Sequence, residues 1–253
     1  MERSGNALVV GGGRGIGRAV CALLAPRHVK IGIVYRSDRE AALATAELVK
    51  AGGAEVELIP VDIRNAEAAD KEITDFAAAS GGLDVLIHTA GASTSWKPVR
   101  ELTPAEWTGF MNVDLNGFFN VVGPALRIMH RQKRGNIVAV TSISARAAAA
   151  GSAQTAAAKA GVEAMIRVIA REEGRSGIRV NAVAAGLTDT DQGREASAHW
   201  GKDLTERIIA QSALPRMGTA EEVAQVVAFL ASPASSYVTG RVIAADGGQF
   251  LSA

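Results

Sequence analysis

Tyrosine and cysteine are both scarce in this sequence. Tyrosine occurs twice among 253 residues, aromatic residues together make up 4% of the chain, and Cys21 is the only cysteine. A single cysteine excludes an internal disulfide and a cysteine-based metal cluster. Neither a run of about 20 apolar residues nor an amino-terminal leader with an apolar core is present, so we expect no membrane span and no secretion. These absences predict a soluble, cytoplasmic protein.

An excess of charge of either sign is also missing. The 27 Lys and Arg residues and the 26 Asp and Glu residues give a formal net charge of +1. Nucleic-acid-binding proteins usually carry a basic excess or a clustered basic face, so we expect no nucleic-acid partner. No spacing of His, Cys, Asp and Glu resembles a metal cage, and no Gly-x-Ser-x-Gly sequence indicates a serine hydrolase. Glycine, in contrast, is abundant, with 27 residues.

Short apolar segments alternate with longer alanine-rich segments of helical periodicity. This alternation is typical of βαβ units, in which helices cover both faces of a parallel sheet. The predicted strands are Ala7–Val10, Lys30–Tyr35, Glu55–Pro60, Val85–His88, Asn136–Val140, Arg179–Val183 and Val242–Ala245. Helix starts are predicted by three possible capping boxes, namely Ser37 with Glu40, Thr103 with Glu106, and Thr219 with Glu222.

The length suits one α/β domain, and no internal repeat or low-complexity linker divides the chain. We therefore predict a single dinucleotide-binding domain over residues 1–253. One segment, at about 185–214, has no clear periodicity. A segment of this kind near the carboxyl edge of a doubly wound sheet is expected to be a variable substrate loop.

A glycine-rich turn follows the first predicted strand and opens the first predicted helix. Residues 9–17 read VVGGGRGIG. Glycines permit a tight turn and the close approach of a pyrophosphate, while the helix N-terminus supplies N–H groups and the positive end of a dipole. A turn of this kind can also be a simple connection between a strand and a helix. The candidate cofactor-binding residues here are Gly11, Gly13, Arg14, Gly15, Ile16 and Gly17.

The end of the second predicted strand indicates which dinucleotide binds. An acidic residue there would bind the ribose 2′-hydroxyl of NAD(H), but the sequence has Tyr35, Arg36 and Ser37. Arg36, together with Arg14, can bind a 2′-phosphate through forked hydrogen bonds, although both arginines could instead be solvated surface residues. We predict that NADP(H) is favoured over NAD(H), with Arg36 and Ser37 in the site.

Motifs along almost the whole chain resemble those of the short-chain dehydrogenases/reductases, and by pattern the 3-oxoacyl-thioester reductases among them. The matching residues are Gly11-x-x-x-Gly15-Ile16-Gly17, Val61-Asp62, Ala90-Gly91, Ser142, Lys159, Arg179-Val180-Asn181-Ala182-Val183 and Asp246-Gly247-Gly248. The resemblance implies a single Rossmann-type doubly wound domain with a seven-stranded parallel sheet. It also implies hydride transfer between a nicotinamide and a carbonyl or alcohol carbon, usually in a tetramer. Further cofactor contacts implied by it are Asp62, Ile63, Ala90, Gly91, Lys159 and Gly186.

The sequence departs from the family at its catalytic motif. The family has Tyr-x-x-x-Lys, whereas this sequence reads Thr155-Ala156-Ala157-Ala158-Lys159. In the family the Tyr is the general acid/base, the Lys assists it and holds the nicotinamide ribose, and a Ser orients the carbonyl. Here the resemblance places Thr155 at the Tyr position, Ser142 at the Ser position and Asp114 at that of an Asn that sustains a water relay. A threonine hydroxyl is a far weaker acid than a phenol, whose pKa is about 10.

Two histidines are further candidates. His88 stands where the family has an asparagine, at the carboxyl end of the fourth predicted strand. Its imidazole could replace the missing acid, although a histidine at such a place is more often a packed residue. His199, beside Trp200, could line a substrate pocket.

Two functions stay open on this basis. One is an NAD(P)(H)-dependent oxidoreductase, a homotetramer acting on a ketone or a 3-oxoacyl thioester with weakened acid/base machinery. The loss of a general acid slows such a reaction about 10²–10⁴-fold without abolishing it. The other is a catalytically inactive subunit that assembles with an active paralogue.

Overall fold

Seven parallel strands form the central sheet of the computed structural model, which describes residues 5–251. The strands in chain order are β1 (Asn6–Val10), β2 (Lys30–Tyr35), β3 (Glu55–Pro60), β4 (Val85–His88), β5 (Gly135–Ser142), β6 (Ile178–Ala185), β7 (Thr188–Asp189), β8 (Gly218–Thr219) and β9 (Val242–Ala245). Their order in the sheet is β3-β2-β1-β4-β5-β6-β9, and β7 pairs with β8 separately. The predicted Rossmann-type doubly wound fold is confirmed.

The central strands are buried on both faces. Ala7, Leu8, Val9 and Val10 of β1 are each at most 1% exposed. A strand covered on both sides has no reason to alternate apolar and polar residues, which explains why short continuous apolar runs predicted these strands correctly. All seven predicted strands are present, and β5 and β6 each continue two residues beyond their predicted ends.

Helices cover the two faces of the sheet. The helices of the described residues are α1 (Gly15–Leu24), α2 (Arg39–Ala51), α3 (Ala66–Ser80), α4 (Pro104–Asp114), α5 (Asn116–Gln132), α6 (Ser144–Ala147), α7 (Ala153–Glu173), α8 (Asp191–Trp200), α9 (Lys202–Gln211) and α10 (Ala220–Ala231), and six of them pack on the sheet. Buried residues of α3, α5 and α7 pack on one face of the sheet, and those of α1, α2 and α10 pack on the other. None of the helices within residues 5–251 combines the length and the apolar character that crossing a bilayer requires.

Two of the three predicted capping boxes are present. Thr103 and Thr219 each accept a hydrogen bond from the backbone N–H of a glutamate three residues later, and each glutamate returns the bond. The predicted box at Ser37 is wrong. The helix begins at Arg39, so the residue before it is Asp38, whose carboxylate accepts from the Ala41 N–H at 3.0 Å.

The segment at about 185–214 is not the loop that its irregular pattern predicts. It contains β7, α8 and α9. Ala196 is the one buried residue of α8, and α9 has none. Because these helices lie on the surface and expose most of their residues, they have few buried apolar residues by which the sequence could identify them.

Candidate cofactor and catalytic site

A cleft of about 590 Å³ opens beside the carboxyl ends of β1, β2 and β4. The sheet order reverses direction between β1 and β4, and this switch point is where doubly wound folds bind ligands. The predicted cofactor residues that line the cleft are Gly11, Gly13, Arg14, Gly15, Ile16, Gly17, Arg36, Ser37, Asp62, Ile63, Ala90 and Gly91. Its volume lies within the range of small-molecule sites, roughly 300–1,000 Å³.

In the glycine-rich turn, backbone atoms of neighbouring segments pack directly against one another beside the cleft. A Cβ at Gly17 would lie 2.2 Å from the Gly11 carbonyl oxygen, and a Cβ at Gly11 would lie 2.7 Å from the Ala90 nitrogen. Gly11 also has φ +81°, a conformation that favours glycine. The turn therefore needs glycine at both positions, and the first residues of α1, which begins at Gly15, line the cleft. A helix N-terminus offers free N–H groups to an anion.

Two exposed arginines line the cleft. Arg14 precedes α1 and does not cap it, and Arg36 follows β2. Within residues 5–251, neither guanidinium makes a hydrogen bond or an ion pair. Two guanidinium groups without hydrogen bonds on one cleft provide donors for an anion such as a phosphate.

Asp62 lines the same cleft but is already engaged. Arg64 donates to its carboxylate through Nε at 2.9 Å and through the backbone N–H at 3.0 Å. These hydrogen bonds hold the pKa of Asp62 below its ordinary value. Asp62 is therefore an acceptor-only carboxylate, and its predicted contact with adenine stays a prediction.

Gly186 and Lys159 do not line the cleft. Gly186 follows β6 and packs so closely on the next segment that a Cβ would lie 2.7 Å from the Cα of Asp246. Lys159 lies just behind the cleft wall, with its Nζ 3.6 Å from the position of a Cβ at Gly91. Their predicted roles with the cofactor stay predictions.

Lys159 and Asp114 form a buried ion pair. The Lys159 Nζ lies 2.7 Å from Asp114 Oδ1, and the two side chains are 11% and 1% exposed. The second carboxylate oxygen, Oδ2, accepts from the Ala92 N–H at 2.7 Å. The Asp114 carboxylate therefore binds both the Lys159 side chain and the backbone of the loop after β4.

The hydroxyl groups at the other two predicted catalytic positions are engaged separately. The Thr155 Oγ1 shares a hydrogen bond of 2.6 Å with the Thr94 Oγ1. The Ser142 Oγ accepts from the Ser144 N–H at 3.1 Å. Neither residue lines the cleft, so the structure brings the cofactor residues together in the open cleft and keeps the catalytic positions beside it.

Residues 91–96, which we call the 91–96 loop, cover the start of α7. Besides the Thr94–Thr155 contact, the Ser95 Oγ donates to the Gln154 Oε1 at 2.8 Å. The loop is therefore attached to α7 at Thr155, which begins the catalytic motif, and at Gln154 directly before it. No sequence motif marks this contact, which joins residues about 60 positions apart.

Helix α8 packs on the outside of the 91–96 loop. Gln192 donates to the Gly91 carbonyl at 3.3 Å, and Glu195 accepts from the Ser93 hydroxyl at 2.7 Å. At the end of the helix His199 stacks on Trp96, with 6.2 Å between ring centroids, and Trp200 meets the same ring edge-on at 4.9 Å. Positions 192, 195, 199 and 200 share one helical face, so α8 docks with that face on the loop.

His88 is a packed residue and not a charged acid. Its side chain is buried, its Nε2 has no partner among the described residues, and its ring meets Phe118 edge-on at 5.3 Å. Burial, assisted by the nearby positive charge of Lys159, lowers the pKa of His88 to about 3. The imidazole is therefore neutral near pH 7 and is not the protonated replacement acid that its position suggested.

A family profile described as Enoyl-(Acyl carrier protein) reductase matches residues 10–249, almost the whole chain. The chain belongs to the short-chain dehydrogenase/reductase family. It is 33% identical to the 3-oxoacyl-acyl-carrier-protein reductase FabG of Staphylococcus aureus, over 99% of this chain and 100% of that protein. It is 35% identical to the acetoacetyl-CoA reductase of Shinella zoogloeoides, over 97% and 98% of the two chains.

Solved structures of the family agree with the fold. A short-chain type dehydrogenase/reductase from Mycobacterium ulcerans has a TM-score of 0.92 at 30% identity, covering 98% of this chain and 90% of that one. Levodione reductase has a TM-score of 0.93 at 31% identity, covering 98% of each chain. These comparisons place the chain among the NAD(P)-dependent short-chain oxidoreductases.

Proposed function

We propose that this protein is a cytoplasmic NADP(H)-dependent reductase that acts on a ketone or a 3-oxoacyl thioester with weakened acid/base machinery. The observation that supports it best is the cleft at the β1–β4 switch point, with its glycine-rich turn and two unpaired arginines. The relatives named as reductases of 3-oxoacyl and acetoacetyl substrates support the same class of reaction.

The residues of the cleft suit a dinucleotide. The exposed N–H groups at the start of α1 and the close-packed glycines suit a pyrophosphate, and Arg14 and Arg36 suit a 2′-phosphate. Gly91 and the ammonium group of Lys159 behind it would lie toward the ribose and nicotinamide end. When bound there, the cofactor would supply the hydride for carbonyl reduction.

The chain's own residues would orient the carbonyl but protonate it poorly. Ser142 and Thr155 each offer a hydroxyl that can donate a hydrogen bond to the substrate oxygen. Neither hydroxyl is acidic enough to be an efficient general acid. The Lys159 ammonium group is engaged in an ion pair with Asp114, with 2.7 Å between Nζ and Oδ1. Positioning alone still lowers the barrier by several kcal/mol, so we expect slow turnover.

The test is to restore the family's residues at the predicted catalytic positions. Thr155→Tyr, alone and with Asp114→Asn, should raise the rate of NADPH-dependent reduction of acetoacetyl thioesters and ketones about 10²–10⁴-fold. Titration of the wild-type protein by nicotinamide fluorescence should show NADPH binding more tightly than NADH. If neither nucleotide binds, the proposed function fails. If the wild-type protein turns over as fast as the restored variants, the account of the missing tyrosine is wrong.

A second candidate function is an inactive subunit that assembles with an active paralogue. It is favoured by the polar contacts that occupy the catalytic positions, namely the Thr94–Thr155 hydrogen bond and the Asp114–Lys159 ion pair. Cofactor binding without turnover in any restored variant, together with co-purification of a second short-chain subunit, would support this function over the first.

We also propose that the protein is oligomeric, as the family resemblance implies. Large apolar side chains on α5 and α7 are exposed, with Phe119 at 62% and Val168 at 54%. An exposed phenylalanine on a helix of a stable domain is more favourable when another subunit covers it. A homotetramer is the form that the reductase function predicts.

A further inference from the structure

Three aromatic rings come together where the 91–96 loop meets α8. Trp96 of the 91–96 loop stacks on His199 and meets Trp200 edge-on, and both partners belong to α8. The chain has three tryptophans in all, and two of them are in this group. Trp96, His199 and Trp200 are called the aromatic wall below.

The aromatic wall is linked to Thr155 through the 91–96 loop and does not line the cofactor cleft. Trp96 follows Thr94 and Ser95, which bond to Thr155 and to its neighbour Gln154. None of the three rings lines the cleft. The 91–96 loop thus links the wall to Thr155, while the residues that would hold the cofactor line a separate cleft.

The position of Trp96 is fixed by its surroundings. Its backbone has φ +55°, a left-handed conformation that is strained for a tryptophan. Gly151 packs on its carbonyl so closely that a Cβ there would lie 2.7 Å from the Trp96 oxygen. Strain of this kind persists where neighbouring structure enforces it, and it is concentrated at ligand sites.

The rings of the wall are not part of the core. Trp96 and Trp200 are only partly buried, and His199 is exposed. The two core clusters that pack on the sheet contain none of the three. Part of the ring surface is thus available to a ligand.

We propose that the aromatic wall selects a substrate that carries a planar aromatic ring beside its carbonyl, in preference to a straight-chain 3-oxoacyl thioester. This inference rests on the proposed reductase function and names its substrate class. Aromatic rings attract one another through edge-on and offset-stacked contacts, and a rigid ring loses little conformational freedom when it binds. A flexible acyl chain makes weaker contacts with flat rings, and it loses more rotational freedom when it binds.

The test measures substrate binding in the absence of turnover. The protein is saturated with NADP⁺, which cannot reduce a ketone, and is titrated by calorimetry with 2-tetralone and with the acetoacetyl thioester of N-acetylcysteamine. We expect 2-tetralone to bind at least about 10-fold more tightly than the thioester. Trp96→Leu should weaken 2-tetralone binding about 10-fold and change thioester binding less than about twofold.

Two further variants keep the result interpretable. Trp96→Phe preserves a flat ring and should retain the preference, which distinguishes ring contact from general damage to the loop. Trp107→Phe changes the third tryptophan, on α4, and should leave both affinities unchanged. In that variant all tryptophan fluorescence comes from the wall, so 2-tetralone should quench it.

The outcomes separate the two proposals. Equal binding of both probes, tighter binding of the thioester, or equal losses in Trp96→Leu would overturn the ring preference and leave the reductase function standing. Absence of NADP⁺ binding would overturn the reductase function, and the ring preference with it.

Discussion

At the scale of single residues, the Asp114–Lys159 ion pair is the feature whose removal should be most costly. Both side chains are almost fully buried, so removing one partner leaves an uncompensated charge. We expect Lys159→Met to lower the free energy of unfolding by about 3–5 kcal/mol. Urea unfolding followed by circular dichroism measures this change.

The double variant Asp114→Asn/Lys159→Met is the control for that prediction. It removes both charges and retains an amide oxygen that can accept from the Ala92 N–H. The double variant should lose clearly less unfolding free energy than Lys159→Met alone. Equal losses would show that the lysine contributes packing and not charge pairing.

His88 predicts a loss of stability in mild acid. Its pKa is lowered to about 3 in the folded protein and is about 6.5 in an unfolded chain, so between these values only the unfolded chain binds the proton. Stability due to His88 is therefore complete above pH 6.5 and falls as the pH is lowered toward 3. Between pH 7 and 5 the loss should approach about 2 kcal/mol.

The His88→Asn variant has no titrating group at this position and serves as the comparison. Its free energy of unfolding should fall less over the same pH interval, as measured by urea unfolding at each pH. Parallel pH profiles for the two proteins would show that the histidine is able to accept a proton without unfolding.

Arg36 predicts which nucleotide binds. Arg36→Ala should weaken NADPH binding about 10–100-fold, because a charge-assisted hydrogen bond contributes about 1.5–3 kcal/mol, and should leave NADH binding nearly unchanged. Arg39→Ala is the matched control, since Arg39 is exposed nearby but does not line the cleft. Fluorescence titration gives both dissociation constants. Equal losses for the two nucleotides would place the guanidinium away from the 2′-phosphate.

At the scale of elements, the glycine-rich turn offers a sharp test. Gly17→Ala places a methyl group 2.2 Å from the Gly11 carbonyl oxygen, so the turn must move, and nucleotide binding should fall by more than about 100-fold. Gly109→Ala on α4 is the control, because no atom beyond its chain neighbours and the nearby backbone of its own helix lies within 4 Å of its added Cβ. That change should leave binding intact and stabilise the helix by up to about 1 kcal/mol. Calorimetric titration with NADPH, with thermal unfolding alongside, measures both effects.

How well the sequence predicts an element depends on where that element lies. The strands are buried on both faces, so their apolar runs predicted all seven within two residues at either end. Helices α8 and α9 expose most of their residues, and the irregular pattern of 185–214 therefore suggested a loop. The position of the cap of α2 was missed by one residue, since Ser37 and Asp38 are both good capping residues and local sequence does not choose between them.

Within the candidate site, too, some residues were predictable from the sequence and others were not. The glycine-rich turn is contiguous in sequence, so its candidate cofactor residues were predictable from one motif, and all six of them line the cleft. The contacts of Thr94 with Thr155 and of Ser93 with Glu195 join residues 61 and 102 positions apart. Such contacts depend on the docking of α8 and the 91–96 loop, which no local pattern encodes.

At the scale of the whole molecule, the exposed apolar surface of α5 predicts assembly. Phe119→Glu should dissociate the oligomer into smaller species, because a charge would have to be buried in the subunit contact. Leu43→Glu on α2, where the leucine is 44% exposed, is the control and should leave the assembly unchanged. Size-exclusion chromatography with light scattering measures both masses. A wild-type monomer would contradict the oligomer proposal directly.

Cys21 lies fully buried in α1 against the glycine-rich turn, and burial raises the pKa of its thiol well above its ordinary value. A thiol that is neither accessible nor ionised does not react with alkylating reagents. A cysteine introduced on the surface, at Ala198 of α8 for example, would therefore be the chain's only labelling site. A single fluorophore or spin label placed there would report the motion of α8 in the otherwise native protein, with no need to remove Cys21 first.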